Sequence, residues 1–411
     1  MSGQTEIIWG AELDLAVEDT LETWTEISIG EICASVKSGG TPLSTIKEYY
    51  ENGQIPWLKT KEIKNARIYG AENYITELGL RNSSASLIPA NSISVAMYGD
   101  GGTAGRVGLT KVPLTTNQAC CNLTVDERKA DYEFIFYNLL GSYDELVGMK
   151  TGSGQQNLSS TLIKNFRLNL PPLAEQRAIA SILSGLDAKI DLLRRQNNTL
   201  EPLAETLFRH WFIEGADEAW EMVTIGSILQ TVLGGTPATG KPEYWDGNIP
   251  WINSGEVNNF RILAGSRFIT ELGMKKSNTK LLPKGTTVVA ITGATLGQIS
   301  LLEIETCANQ SVVGIIPNEI LPKEFVFLWI KHKIKEIILS ETGGAQPHIN
   351  KNDINETQII IPDKNYLAEK MMVIKPAFEK ITSNVFQIKT LISLRDTLLP
   401  KLMSGEVRVA Y

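Results

Sequence analysis

The stretch LAEQRAIASILSGLDAKIDLLRRQNNTLEPLAETLFRHW, residues 173–211, decides how the rest of the chain is read. Its apolar residues fall at Ile179, Leu183, Leu186, Ile190 and Leu193, then at Leu200, Ala204, Leu207 and Trp211. Steps of four and three alternate, which is the spacing of a coiled-coil seam and not the wider stripe of a globular core helix. Asn197 is the one polar residue in the seam, and such a residue fixes register at some cost in stability. The end of the chain repeats the pattern at Leu367, Met371, Ile374, Phe378, Ile381, Val385, Ile388, Ile392 and Leu399, with Arg395 out of place. Two long narrow seams in one chain most simply zip against each other; two independent amphipathic helices are the plainer alternative. Pro202 and Pro376 each remove a donor and crowd the preceding turn, so a kink or break is expected at each. A first helix of about 38 residues would span roughly 57 Å, a ruler and not a core element.

Working outward, the sequence repeats itself. Gly39-Gly40-Thr41-Pro42 returns as Gly234-Gly235-Thr236-Pro237, and Ile55-Pro56-Trp57 as Ile249-Pro250-Trp251. Ile75-Thr76-Glu77-Leu78-Gly79 returns as Ile269-Thr270-Glu271-Leu272-Gly273. Asn117-Gln118 matches Asn309-Gln310, and Thr151-Gly152 through Gln155 matches Thr342-Gly343 through Gln346. The offset drifts only from 195 to 191, which chance cannot sustain over five matches. Each copy ends by feeding a seam helix through a proline, at Pro171 and Pro362. The expected division is an N-terminal extension (1–24), a first globular domain (25–172), a central helical spacer (173–213), a second globular domain (214–362) and a C-terminal helical spacer (363–411).

Each globular copy reads as α/β with more strand than helix. Apolar runs at Ser92–Met97 and Thr286–Ile291 sit between Pro and Gly turns as buried strands do. Amphipathic helices are expected over Asp131–Val147 and Pro322–Leu339, each followed by a polar loop too hydrophilic to bury itself. Trp211 and Trp220 flank a short acidic linker, across which they pack or beside which they form domain-edge core.

Composition narrows the class. The 411 residues carry 43% hydrophobic and 21% charged side chains, ordinary for a folded soluble protein. No apolar run is long enough to span a membrane and no signal pattern opens the chain, so the cytoplasm is the expected location. Cys33, Cys120, Cys121 and Cys307 have no CxxC spacing, which argues for buried thiols and against a disulfide framework or zinc site. A formal charge of −7 argues against a free-standing nucleic-acid binder, yet leaves room for local basic faces and for partners that supply phosphate contacts.

Catalytic constellations are missing from the sequence. There is no phosphate loop, HExxH or GxSxG motif. The glycine run from Gly99 to Gly105 loses most of its glycines in its copy at Gly293–Gly297 and reads as a tight turn. His210, His332 and His348 lie on separate elements. No catalytic residue and no metal site is expected. Asn169-Leu170-Pro171-Pro172 approaches the motif by which adenine methyltransferases orient an amine, but lacks its aromatic ending and reads as a hinge. What remains are paired polar tips. Trp57 is followed by Lys59, Thr60, Lys61 and Glu62, with Lys64 and Arg67 behind; Trp251 is followed by Asn253, Ser254 and Glu256, with Asn258 and Asn259 behind. Amides suit adenine edges, Lys and Arg suit guanine, and carboxylates accept from cytosine. Ordinary solvated loop chemistry is the plain reading of any one of these residues.

The order of these motifs resembles the specificity (S) subunit of Type I restriction–modification systems. Its signs are the doubled Ser38–Pro42 and Gly234–Pro237 loops, the Ile-Pro-Trp turns and Thr151–Leu158. Pro171-Pro-Leu-Ala-Glu-Gln-Arg177 and the ending Leu394–Val407 complete the pattern, which runs from about Trp24 to Val409. Copy two departs at Pro362-Asp363-Lys364, without the double proline and Glu-Gln-Arg. The resemblance implies a mixed α+β protein with an internal pseudo-two-fold repeat, its two similar α/β target-recognition domains separated by two long antiparallel coiled-coil helices. Each domain would read half of a split, asymmetric site on double-stranded DNA, the two domains docking on successive major grooves ~34–36 Å apart while the helices set the unread spacer. Two methyltransferase (M) subunits would dock on the helices and bring S-adenosylmethionine, and restriction/translocation (R) subunits would bring ATP and Mg; this chain would bind no cofactor, touch no membrane and be non-catalytic itself.

On this reading the DNA-binding candidates in the first domain are Thr41, Lys59, Thr60, Lys61, Lys64, Tyr98, Arg106, Gln155, Gln156 and Asn157. Those in the second are Thr236, Asn253, Ser254, Glu256, Asn258, Thr292, Gln346 and His348. Two other readings stay open from the residues alone. A self-contained DNA methyltransferase would bind S-adenosylmethionine as the isolated chain. A two-domain carbohydrate- or peptide-binding module on a coiled-coil spacer would bind its ligand without the steep salt dependence of DNA affinity.

Overall fold

The computed structural model describes residues 23–99, 102–150, 157–340 and 348–410. The expected extension at 1–24 therefore falls almost wholly outside the described residues. The chain forms two compact units. The first runs up to Lys189 and resumes at Leu391; the second is Ile190–Thr390.

Among the described residues the first unit has ten strands: β1 (Thr25–Ser28), β2 (Cys33–Ser38), β3 (Ile55–Leu58), β4 (Ala66–Ile68), β5 (Asn73–Ile75), β6 (Ile93–Ala96), β7 (Val107–Thr110), β8 (Thr115–Thr116), β9 (Cys120–Val125) and β10 (Arg167–Leu170). They make a five-stranded sheet in the order β2-β9-β6-β7-β4, a three-stranded sheet β5-β3-β8 and the pair β1-β10. Pairing is antiparallel except β4 with β7 and β3 with β8. The second unit repeats the plan with β11 (Glu221–Thr224), β12 (Gln230–Leu233), β13 (Trp245–Ile252), β14 (Arg267–Ile269), β15 (Thr287–Ala290), β16 (Ile299–Leu301), β17 (Cys307–Ala308), β18 (Val312–Ile316) and β19 (Gln358–Ile361). Its sheets are β12-β18-β15-β16, β14-β13-β17 and β11-β19. A fifth strand is reduced there to one parallel bridge, Ile262 to Leu302.

The core of each unit is built on a helix that is apolar nearly all round in the first unit and over residues 325–330 in the second, and such a segment must be covered on every side. In the first unit this is Tyr132–Gly141, where Phe134, Ile135, Phe136 and Tyr137 are at most 1% exposed. They cluster with Ile93, Val95, Leu109 and Leu123 of the sheet, and with Ile179, Leu183, Leu399 and Leu402 of the long helices. Asp131 starts this helix by accepting the N–H groups of Glu133 and Phe134. The single helix expected over 131–147 is broken at Ser142, whose ψ of 21° closes one helix before Tyr143–Gly148 begins; Gly141 beside it is a poor helix former. In the second unit Lys323–Ser340 does the same work, placing Phe325 and Trp329 against Phe208 and Phe212.

Both long helices run without a break, the central one over Leu173–Arg209 and the C-terminal one over Lys364–Ser404. The break expected at Pro202 and Pro376 does not occur. Both prolines lie on the exposed face, so water can satisfy the carbonyl each leaves unpaired. The two helices run antiparallel within each unit. In the first, Asp187 pairs with Arg395 at 2.8 Å; in the second, Asn384 donates to Asn197 at 2.9 Å while Trp211 lies near Tyr366. The seam is not a uniform heptad. Beyond Leu193 the buried apolar residues are Ala204, Phe208 and Phe212, and Leu207 and Trp211 turn partly out. Steps of four follow the 3.6-residue helix toward the aromatic face of Lys323–Ser340. Trp211 and Trp220 are edge residues of that core, with Trp220 5.2 Å from the Tyr366 ring.

The two helix entries differ as their sequences do. Glu175 is completely buried and takes the Arg408 guanidinium at 2.5 Å and the Trp24 indole N–H at 3.3 Å. Gln176 accepts the Asp131 N–H and donates to the Pro171 carbonyl. Copy two has neither residue, and there Asp363 caps the helix by accepting the N–H groups of Asn365 and Tyr366.

Charges are also buried between the sheets and the helices. Arg67 of β4 reaches Glu133 at 3.2 Å and Asp187 at 3.4 Å, and the Tyr137 hydroxyl donates to Asp187 at 2.6 Å. Burial and that carboxylate push the Tyr137 phenol far up. At the equivalent place Arg261 pairs with Glu201 at 2.8 Å, among the rings of Phe260, Phe327 and Phe378. Lys331 joins Glu201 and Glu205. Arg67, read from sequence as a loop-tip cation, therefore points inward.

Two measurements follow from this packing. Asn197→Leu should leave the buried Asn384 amide only its longer 3.3 Å bond to Gln196 and cost about 1–3 kcal/mol, and adding Asn384→Leu should recover most of it. Urea melts of both singles and the double test this, and a coupling below about 0.5 kcal/mol would mean the amides act independently. Burial also pushes the thiols of Cys33, Cys120 and Cys121 up to about 12. At pH 8 native protein should resist alkylation at Cys120 and Cys121 while urea-unfolded protein reacts at once; equal rates would contradict the packing.

Candidate nucleic-acid interface

In each unit one end of the main sheet gathers most of the candidate residues, and strand direction explains why. The C-terminal ends of β2 and β6 and the N-terminal ends of β4, β7 and β9 lie on the same rim, since Ser38 pairs with Cys121, Ala96 with Cys120, Val95 with Val107 and Ala66 with Gly108. β3 and β8 run parallel and end beside it, where the Asn117 N–H reaches the Leu58 carbonyl at 2.9 Å. Thr41 therefore follows β2, Lys59 follows β3, Tyr98 follows β6, Arg106 precedes β7 and Lys64 precedes β4. Asn157 joins them because the next N–H, of Leu158, bonds the Met97 carbonyl at 3.1 Å. The second unit assembles Thr236, Asn253, Thr292 and His348 in the same way, with the Ile349 N–H on the Ile291 carbonyl.

The Gly-Gly-Thr-Pro loops are set by close approach. A Cβ on Gly39 would overlap the carbonyl of Asn117, and one on Gly234 that of Asn309. Only glycine lets these loops lie flat on the strand beneath. Below them the Trp57 indole N–H donates to Gly40 at 3.0 Å, and that of Trp251 to Gly235 at 3.1 Å. Thr41 and Thr236 stand exposed at the loop tips, each hydrogen-bonded to a glutamine, Gln118 and Gln310. Those glutamines were legible only as marks of the repeat, since nothing in a single sequence brings positions more than seventy apart together.

The tips after the two Ile-Pro-Trp strands share a frame and differ in chemistry. Glu256 corrects the sequence reading: its carboxylate accepts the N–H groups of Asn253 and Ser266 at 2.8 Å each and the Ser266 hydroxyl at 2.6 Å, so it ties the loop together and is not offered to a base. Glu62 has the same task, holding the N–H groups of Lys59 and Glu72. The Asn253 carbonyl caps the Gly255 N–H, which leaves its NH2 as the outward group. Lys59 is half-buried, bonded to Asn73 and 4.9 Å from the centre of the Trp57 ring. Lys61 is exposed with Glu72 at 3.4 Å, and Lys64 and Asn258 are exposed. Thr60, Ser254, Arg106, Asn157 and Thr292 are half-buried, and Tyr98 and His348 exposed. Gln155, Gln156 and Gln346 lie outside the described residues.

Among the described residues, no group of three or more His, Cys, Asp or Glu is placed to hold a metal ion, and no helix is long and apolar enough to cross a membrane. Each rim is a polar edge whose exposed groups, among the described candidates, are hydroxyls and amides, with cations in the first unit and the His348 imidazole in the second. Such an edge can donate to phosphates and base edges.

Comparison with known proteins agrees with this geometry. The model of the Type I restriction modification DNA specificity domain matches twice, at residues 21–202 and 217–387. The chain is 28% identical over 407 residues to the Type I restriction enzyme MjaIX specificity subunit of Methanocaldococcus jannaschii, covering 93% of this chain and 92% of that one. It is 23% identical over 357 residues to the HindI specificity subunit of Haemophilus influenzae, covering 67% of this chain and 77% of the relative. In fold it is similar to the crystal structure of a Type I restriction–modification S subunit from M. genitalium, with a TM-score of 0.64 at 19% identity, over 95% of this chain and 98% of that one. With the specificity domain matched in both halves, the chain belongs to the family of Type I restriction–modification DNA specificity subunits.

Proposed function

We propose that each unit of this specificity subunit reads one half of a split, asymmetric sequence in double-stranded DNA. DNA specificity is the role of the family. The finer reading rests on one observation: two rims of the same construction carry different chemistry at equivalent places. Lys59 stands where the second unit has Asn253, Tyr98 where it has Thr292, and Asn157 where it has His348. An ammonium donates to guanine O6 or N7, while an amide or hydroxyl meets a different set of edges. A shared frame with exchanged tips suits two readers of two different sequences.

Thr41, Lys59, Thr60, Lys61, Lys64, Tyr98, Arg106 and Asn157 are proposed to face DNA in the first unit, and Thr236, Asn253, Ser254, Asn258, Thr292 and His348 in the second. The exposed faces of the helices are proposed to seat two methyltransferase subunits, which would hold S-adenosylmethionine and carry the chemistry. Restriction subunits using ATP and Mg would join that complex. Partners that grip the phosphates would reconcile DNA binding with the charge of −7 on this chain.

The test is co-purification with a candidate methyltransferase subunit, then sequencing for N6-methyladenine in cells carrying both. A split, asymmetric methylated motif that depends on this chain is expected. Exchanging residues 25–170 for the equivalent domain of another such subunit should change one half of that motif only. A change in both halves, or no motif at all, would sink the two-reader reading.

A further inference from the structure

Gln118 and Gln310 occupy equivalent positions, both exposed, at the rim of their units. In each, the threonine at the tip of the Gly-Gly loop donates its hydroxyl hydrogen to the glutamine Oε1, Thr41 to Gln118 and Thr236 to Gln310. That contact turns the carbonyl end of each amide toward the loop and leaves Nε2, with its two N–H donors, as the outward group. The support beneath is rigid. Gly39 and Gly234 press on the Asn117 and Asn309 carbonyls, the indoles of Trp57 and Trp251 hold the loops from below, and the N–H of each neighbouring Asn is bonded to strand β3 or β13. Beside Gln310 lies an open hollow of about 520 Å³, walled by Leu233, Gly234, Gly235, Thr236 and Asn278.

With Oε1 already engaged by the threonine, the amide offers its donors more readily than its acceptor, which suits adenine poorly, since a bidentate contact there needs both. It is well matched to a phosphate oxygen, which accepts and has no preference for sequence. The placement agrees. The Thr–Gln pair is the same in both units, while Lys59, Tyr98 and Asn157 are replaced by Asn253, Thr292 and His348 around it. Readers of different half-sites must differ where they meet bases, but they can keep one contact where they meet the backbone.

We propose that Gln118 and Gln310 are phosphate-gripping residues, one per unit, each donating its NH2 to a DNA backbone oxygen and so setting the register from which the dissimilar tips read bases. This rests on the DNA-reading function proposed above. The test uses the assembled complex with its methyltransferase subunits and two duplexes, one bearing the methylated motif and one unrelated. Gln118→Ala and Gln310→Ala should each weaken binding to both duplexes by the same factor, about tenfold for a hydrogen bond to a charged group, and leave the motif unchanged. Gln118→Glu keeps an acceptor for the Thr41 hydroxyl, and so keeps the loop, but sets a carboxylate against the phosphate. Its loss should exceed that of the alanine variant. A changed base preference in one half-site would make the glutamine a base reader and overturn the proposal. Wild-type affinity in Gln118→Glu would overturn it equally, since the pair would then only lock the loop. A wild-type complex that binds neither duplex removes the DNA reading itself, and this inference with it.

Discussion

Each unit depends on covering one helical segment that is apolar nearly all round. Tyr132–Gly141 and the 325–330 stretch of Lys323–Ser340 cannot be stable with a wide face in water, and a sheet can cover only one face of each. The long helices supply the rest, and they do so with the same apolar residues that would otherwise be a coiled-coil seam. Where that arrangement buries charge, at Arg67 and Asp187 or Arg261 and Glu201, each guanidinium is matched by a carboxylate, because an unpaired one there would cost several kcal/mol, on the order of 3–5. The sheet is thereby fixed against the helices of its own unit, and the rim at its end inherits that fixed position.

The architecture was legible because it is written twice. Gly-Gly-Thr-Pro, Ile-Pro-Trp and Asn-Gln recur in order, and each recurrence proves to sit at the same structural place for the same steric or hydrogen-bonding reason. What could not be read were contacts between residues far apart in the chain. Glu256 looked like an outward acceptor because the Ser266 backbone that consumes it is invisible from position 256. Arg67 looked like a loop cation because its partner lies at position 187. Pro202 looked like a breaker because the pattern does not say which face of the helix meets water. The seam itself misled beyond Leu193, where Phe208 and Phe212 are chosen by the aromatic helix opposite and not by heptad arithmetic.

The rim divides its labour by rigidity. Glycines, indole N–H groups and inward carboxylates build the platform, and they are the same in both units. The groups left exposed on it, from Thr41 and Thr236 to Lys61, Lys64 and Tyr98, stand at places which that platform fixes. Recognition by such a surface is set mainly by which side chain stands at a fixed place, and less by how a loop adapts. That is a surface on which exchanging one tip for another disturbs little of the fold.

The first unit is discontinuous in the chain and the second is inserted within it. Leu399 and Leu402 belong to the first unit's core, yet they are made after all 201 residues of Ile190–Thr390. Closing a loop of that length in an unfolded chain costs about 4–5 kcal/mol of entropy. If the inserted unit folds first, its antiparallel helix segments bring Asn197 and Asn384 together, and the loop still to be closed shrinks to a few turns of helix. Folding order is then the reverse of synthesis order: the part begun first is finished last, and until then its aromatic helix stands half uncovered.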